Sequence, residues 1–164
     1  MREPFVETQM LIRKPVKEVF RAFTDPAVTV NFWFTRSSGM LAEGREVTWE
    51  WEMYNVSTKV KVNRLSEPHF ISTEWGEPAT TVDYEFTPHV TGGTYVVIRS
   101  YGFSQKGDEL LAVVKDNTAW FTSVLDGLKA WLEHGLRLNL VRDKFPSQWN
   151  SDSSTLNEWQ KSSR

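Results

Sequence analysis

Asn117–Leu138, NTAWFTSVLDGLKAWLEHGLRL, carries the longest helical pattern in the chain. Phe121, Leu125, Leu128 and Leu132 recur at i, i+4, i+7 and i+11, which puts them on one stripe of an α-helix. Trp120, Val124 and Trp131 widen the stripe, and Asp126, Lys129 and Glu133 fall mainly on the other side. Asp116, Asn117 and Thr118 each offer an oxygen to the free N–H groups of a first turn, so the helix is expected to begin there. A stripe this wide and aromatic needs a large apolar surface to lie against.

The preceding sequence supplies that surface. Phe5–Arg13 alternates, with Val6, Thr8, Met10 and Ile12 on one face. Pro15–Phe23 reads as a short helix with an apolar stripe of Val16, Val19, Phe20 and Phe23. Thr24-Asp25-Pro26 ends it and starts a second short helix that runs out near Asn31–Phe34. A polar loop is expected over Thr35–Gly44. Glu46–Val56 then sets Val47, Trp49, Trp51 and Met53 against Glu46, Thr48, Glu50 and Glu52, a half-buried strand with large rings inward. Val56–Leu65, Phe70–Gly76, Thr80–Pro88 and Thr94–Phe103 continue as strands, separated by turns at Ser66–Pro68, Glu77-Pro78 and Thr91–Gly93. The Asn55 region is marked as a place for a turn or bulge. Strands in the middle and helices at the ends make the class α+β, with an antiparallel sheet.

Length and composition set further bounds. A chain of 164 residues supports one domain with a proper core. That domain is drawn over residues 1–142, and 143–164, rich in Ser, Asn and Gln, is read as a polar tail holding Trp149 and Trp159. Thr155 and Glu158 have the spacing of a capping box for a short docked helix there. With 19 basic and 21 acidic residues and no basic run, nucleic acid is not an expected partner. The absence of cysteine removes disulfides and thiolate chemistry. MREPFVETQM has no apolar core of a signal peptide, and no apolar run is long enough to span a bilayer. A soluble, cytoplasmic protein without a membrane partner is the expectation, and its oligomeric state is open.

Ile12-x-x-Pro15-x-x-x-Val19-Phe20-x-Ala22-Phe23-Thr24-Asp25-Pro26, the aromatic segment Asn31–Phe34, and Leu125-Asp126-Gly127-Leu128-Lys129-Ala130-Trp131-Leu132-Glu133-x-Gly135 together resemble the SRPBCC (START-like, helix-grip) superfamily. Within it they are most similar to the branch named after the activator of the large heat-shock chaperone's ATPase. The resemblance spans about Val6 to Leu138. It implies a curved antiparallel sheet wrapped around the long C-terminal helix, with a cavity between them. It also implies either binding or conversion of hydrophobic small molecules, or a role as a module on protein partners. One position departs: where that branch often has Gly-Trp, this chain has Trp120-Phe121.

The residues expected to line the cavity are Trp49, Trp51, Met53, Trp75, Tyr84, Phe86 and Ile98 from the sheet and Phe121, Leu125 and Leu128 from the helix. An apolar or aromatic small molecule is the expected ligand, in a space on the order of 300 Å³. Val96, Ile98 and Ser100 are placed inward, which turns Arg99 outward; the opposite register would make Arg99 a buried cation at the pocket wall in need of a carboxylate or a ligand anion. Glu50 with Glu52 and Asp83 with Glu85 fall on the solvent face, without the burial that raises a carboxyl pKa. His69, His89 and His134 lie at turns or a helix end without ligand spacing, so no metal and no other cofactor is expected. No catalytic residue is assigned. Two other readings stay open: a protein-interaction module with Trp33, Phe34, Trp149 or Trp159 as exposed anchors, and a cyclase- or dehydratase-like enzyme, which would require an inward acid or base.

Overall fold

In a computed structural model that describes residues 2–146, the strands between residues 36 and 101 pair as consecutive hairpins and Phe5–Ile12 joins the last of them. The strands are β1 (Phe5–Ile12), β2 (Arg36–Ser37), β3 (Glu46–Trp51), β4 (Val56–Ser66), β5 (Phe70–Trp75), β6 (Thr80–Pro88) and β7 (Thr94–Tyr101). They form one antiparallel sheet in the order β1-β7-β6-β5-β4-β3-β2. The helices are α1 (Val16–Thr24), α2 (Pro26–Thr29), α3 (Gly107–His134) and α4 (Leu140–Lys144). The period of two decides which face is covered: β3 buries Val47, Trp49 and Trp51, and β7 buries Thr94, Val96, Ile98 and Ser100. On the outer face Glu46 pairs in register with Lys61 and makes an ion pair with Lys59 at 3.4 Å.

α3 buries Trp120, Phe121, Val124, Leu125, Gly127 and Leu128. Its C-terminal half is tied to β1. Lys129 Nζ donates to the Leu11 carbonyl at 2.9 Å and to Glu133 at 2.6 Å, and Glu133 also accepts from the Arg13 N–H at 3.2 Å. Gly135 ends the helix at φ 64°, with its N–H bonded to Trp131 O and the Leu136 N–H to Ala130 O, the pattern of a left-handed glycine stop.

Three expectations need correction. α3 begins ten residues before Asn117, because the apolar run Leu110–Val114 propagates the helix upstream. Asn117 and Thr118 therefore do not cap it; their side chains donate back to Val113 O and Val114 O inside the helix. β3 stops at Trp51, where Glu52–Tyr54 form a 3₁₀ turn closed by Asn55 at φ 51°. That turn resets the alternation, so Met53 is half-buried and Tyr54 buried. The expected loop after Thr35 contains β2, whose Arg36 and Ser37 pair with Glu50 and Trp49.

At Gly127 the Phe32 segment packs tightly against α3. A Cβ there would lie 3.2 Å from Phe32 Cβ and 3.3 Å from Phe32 O. Alanine improves helix propensity by about 1 kcal/mol, but overpacking against backbone costs about 1–3 kcal/mol. Gly127→Ala is therefore expected to lower the melting temperature by about 2–4 °C. A rise in a calorimetric scan would show that the Phe32 segment yields.

Candidate functional site

The short α1–α2 corner aims one aromatic segment at the inner face of the sheet. Asp25 caps α2 by accepting from Ala27 N–H at 3.0 Å, and Thr29 Oγ1 donates to Ala22 O at 2.6 Å. The N–H groups of Phe32 and Trp33 bond back to Thr29 O. On the far side Thr35 is fixed to β3: its N–H and hydroxyl both donate to Glu50 O at 2.8 Å, and its oxygen accepts from Glu52 N–H. The segment between these two anchors carries Trp33 and Phe34 inward.

Trp33 occupies the centre of an aromatic cage. Its ring centroid lies 4.8 Å from Trp49, 6.2 Å from Tyr84, 6.2 Å from Phe121, 6.4 Å from Trp75, 6.1 Å from Phe34 and 6.3 Å from Phe23. Most of these contacts are edge-to-face or tilted, the arrangements that ring quadrupoles favour. Trp33 and Phe34 are 7 % and 2 % exposed, so neither is the exposed protein-docking anchor that the sequence left open. Trp149 and Trp159, the other two proposed anchors, and the Thr155/Glu158 pair lie outside the described residues.

The residues read from sequence as cavity lining distribute as follows. Trp49, Trp51, Trp75, Tyr84 and Phe121 belong to one ring network. Phe86 turns toward α1, against Phe20 at 5.3 Å and Phe23 at 5.5 Å. Ile98, Leu125 and Leu128 are buried core. Met53 lines a separate cavity of about 110 Å³, bounded by Phe32, Trp33, Phe34, Gly127 and Leu138–Arg142. The interval expected to hold a space of ~300 Å³ is thus occupied by rings around Trp33, and the smaller cavity lies beside them.

Polar atoms in the cage are mostly donors. The Trp49 indole N–H is sealed from solvent without an acceptor; the Trp75 indole N–H and the Tyr84 hydroxyl, also sealed, have each other and Thr73 as polar neighbours, outside good hydrogen-bond geometry. Thr73 and Trp75 lie beside the Tyr84 hydroxyl, whose pKa burial pushes well above its ordinary value. Among the described residues, the buried polar set otherwise consists of Thr and Ser, without a charged side chain.

The charged candidates lie on the outer face. Arg99 is exposed and paired with Glu7, its Nε donating at 2.9 Å. Glu50 pairs with Arg36, whose hydrogen bond holds the carboxyl below its usual pKa. Asp83 accepts from Ser72 Oγ at 2.6 Å and from the Tyr101 hydroxyl at 3.0 Å. No group of metal-ligating side chains occurs among the described residues, and no helix there is long and apolar enough to cross a membrane.

A second aromatic group explains Trp120. It is buried against Tyr54 (6.4 Å) and Phe145 (5.8 Å), with Lys144 Nζ 5.6 Å over its ring. Tyr54 donates its hydroxyl to the carbonyls of Val141 and Arg142, which ties α4 to the 3₁₀ turn. Sequence periodicity missed Tyr54 because the turn inverts the faces, and missed Trp33 because an irregular segment has no period. The Asn55 turn signal was the available hint for the first.

The comparisons with known proteins agree with this geometry. The family described as activator of Hsp90 ATPase homolog 1-like protein matches residues 13–133. Among solved structures, protein SSP2350 from Staphylococcus saprophyticus superposes with a TM-score of 0.70 at 27 % identity, covering 82 % of this chain and 96 % of that one. DynU16, a putative protein in the dynemicin biosynthetic locus, gives 0.73 at 18 % identity, covering 83 % and 49 %. The Aha1 dimer from Colwellia psychrerythraea gives 0.70 at 16 %, covering 80 % and 98 %. The last two likenesses are of fold alone. No functionally curated protein matches. The match over residues 13–133, with the antiparallel sheet and long C-terminal helix described above, places this chain in the activator of Hsp90 ATPase homolog 1-like family.

Proposed function

We propose that the chain binds a planar, apolar small molecule carrying hydrogen-bond acceptors, between the inner face of the sheet and α3. The observation that supports this reading is the surplus of buried donors on Trp49, Trp75 and Tyr84. A buried polar group left unsatisfied costs about 1–3 kcal/mol, and an all-hydrocarbon ring such as Phe would avoid that cost. Donors kept inside an apolar wall fit a ligand site, where a few polar groups orient an otherwise apolar molecule. The buried set of Tyr, Thr and Ser offers hydrogen bonds rather than charge, which favours binding over a cyclase- or dehydratase-like reaction.

The test uses 1,4-naphthoquinone, a flat molecule with two carbonyl acceptors, which cannot alkylate a chain without cysteine at sulfur. At 100 times its dissociation constant it is expected to stabilise the protein by about 2.7 kcal/mol. Tyr84→Phe removes one donor, so binding should weaken by about tenfold, the equivalent of ~1–1.5 kcal/mol. The empty variant should keep its stability within about 1 kcal/mol of the parent, because the lost hydroxyl makes no hydrogen bond of good geometry and only faces the Thr73 and Trp75 donors. If neither naphthoquinone nor other planar carbonyl-bearing aromatics raise the melting temperature, the reading falls. Equal affinity for parent and Tyr84→Phe would remove the assigned donors.

A further inference from the structure

Trp33 fits the cage by shape and mismatches it by chemistry. Rings of the sheet, α1 and α3 surround its indole on several sides, and the three donor-bearing rings, Trp49, Trp75 and Tyr84, are all among those neighbours. An indole has one N–H and no acceptor. It therefore fills the volume yet answers none of the three donors. Trp33 also borders the 110 Å³ cavity, whose far wall includes Leu138, an apolar side chain that is 45 % exposed. Trp33 thus borders free space and an apolar surface as well as the cage. It belongs to an irregular segment, not to the ladder of the sheet, so its displacement breaks no strand pairing.

We infer that the cage is the ligand subsite, that Trp33 is its internal occupant, and that the ligand is a planar bicyclic aromatic with carbonyl or similar acceptors that replaces the indole. The inference rests on the proposed binding function and narrows it. A ligand of indole size regains the ring contacts that Trp33 gives up and adds acceptors for the cage donors. Displaced toward Leu138, Trp33 moves into the neighbouring cavity and leaves the cage to the ligand.

The experiment is performed on the full chain labelled with 5-fluorotryptophan, with the Trp33 fluorine resonance assigned by Trp33→Phe. Titration with 1,4-naphthoquinone is expected to shift the Trp33 resonance in step with binding. Trp33→Ala, which has no occupant to displace, is expected to bind naphthoquinone at least tenfold more tightly than the parent. Trp33→Leu, a smaller loss of bulk, should give the same direction and serves where the alanine variant does not fold. Saturable, Tyr84-dependent binding with an unmoved Trp33 resonance would overturn this inference and leave the binding function standing. Folded Trp33 variants that bind no more tightly than the parent would overturn it as well. No binding by either parent or variants removes both.

Discussion

Trp49→Ala is expected to destabilise the protein by about 3–5 kcal/mol, the range for truncating a fully buried large aromatic. Trp49 is 1 % exposed, stacks on Phe34 at 4.9 Å and 27°, and lies 4.8 Å from Trp33 and 5.9 Å from Trp75. Its backbone is held on both sides, opposite Ser37 in β2 and Thr58 in β4, so the strand cannot sag into the space. The neighbours are rigid rings, which fill a vacancy less well than flexible aliphatic chains do. Against a typical total of 5–15 kcal/mol, this is a large fraction, and the melting temperature should fall by roughly 6–20 °C. Urea unfolding at neutral pH measures it. A loss under about 1 kcal/mol would mean that the cage collapses freely and does not hold a fixed shape.

Raising the pH through 10 to 12 is expected to strip stability through Tyr54. Burial is the main cause that lifts its pKa from 10 to about 12 in the folded protein. Only the protonated hydroxyl can donate to the carbonyls of Val141 and Arg142. The folded pKa is the higher one, so the contribution is fully present below pH 10. Above that, the unfolded chain releases its proton first, and stability falls until the folded pKa is passed near pH 12. Two pH units correspond to at most about 2.7 kcal/mol. Partial access of solvent beside α4 reduces this to about 1–2 kcal/mol. Tyr84, shifted in the same direction, adds to the decline. Tyr54→Phe should be weaker at pH 7 by about 1 kcal/mol yet show a shallower fall between pH 10 and 12. Urea midpoints for both proteins across pH 8–12 test this, and identical slopes would acquit Tyr54.

Strands were legible because one face of each is buried and the period of two is strict. Val82, Tyr84 and Phe86 against Asp83 and Glu85 have no second interpretation, and Pro and Gly punctuate the turns between. The second half of α3 was legible for the same reason at a period of 3.6. Its start was not, since Leu110–Val114 is apolar all round and capping residues placed mid-helix imitate a beginning. β2 is two residues long and exists through its partner's backbone, a cause that no local pattern records. Around the candidate site, the period of two indicates which strand residues are buried, whereas Trp33 entered the sequence reading only as an exposed anchor of the alternative, protein-docking hypothesis. The position of Trp33 follows from Thr29 and Thr35 at either end of the segment, which are tertiary contacts. The glycine in Leu125–Leu128 was visible as part of a motif, and its reason, the Phe32 carbonyl that an added Cβ would meet at 3.3 Å, was not.

The pairing of β1 with β7 also bears on synthesis. Phe5 sits opposite Tyr101 and Ile12 opposite Thr94, and Glu133 near the end of α3 holds the Arg13 N–H. β1 therefore leaves the ribosome well before its partner β7, and waits after that for the helix that clamps it. At about 5–20 residues per second, that delay is on the order of 5–20 s, during which FVETQMLI has no strand to pair with. β3 to β6 meet their partners as soon as each hairpin emerges. The ladder thus grows from its β2 edge toward β7 and is completed by β1 at the opposite edge, and a chaperone that shields the β1 segment would act where the wait is longest.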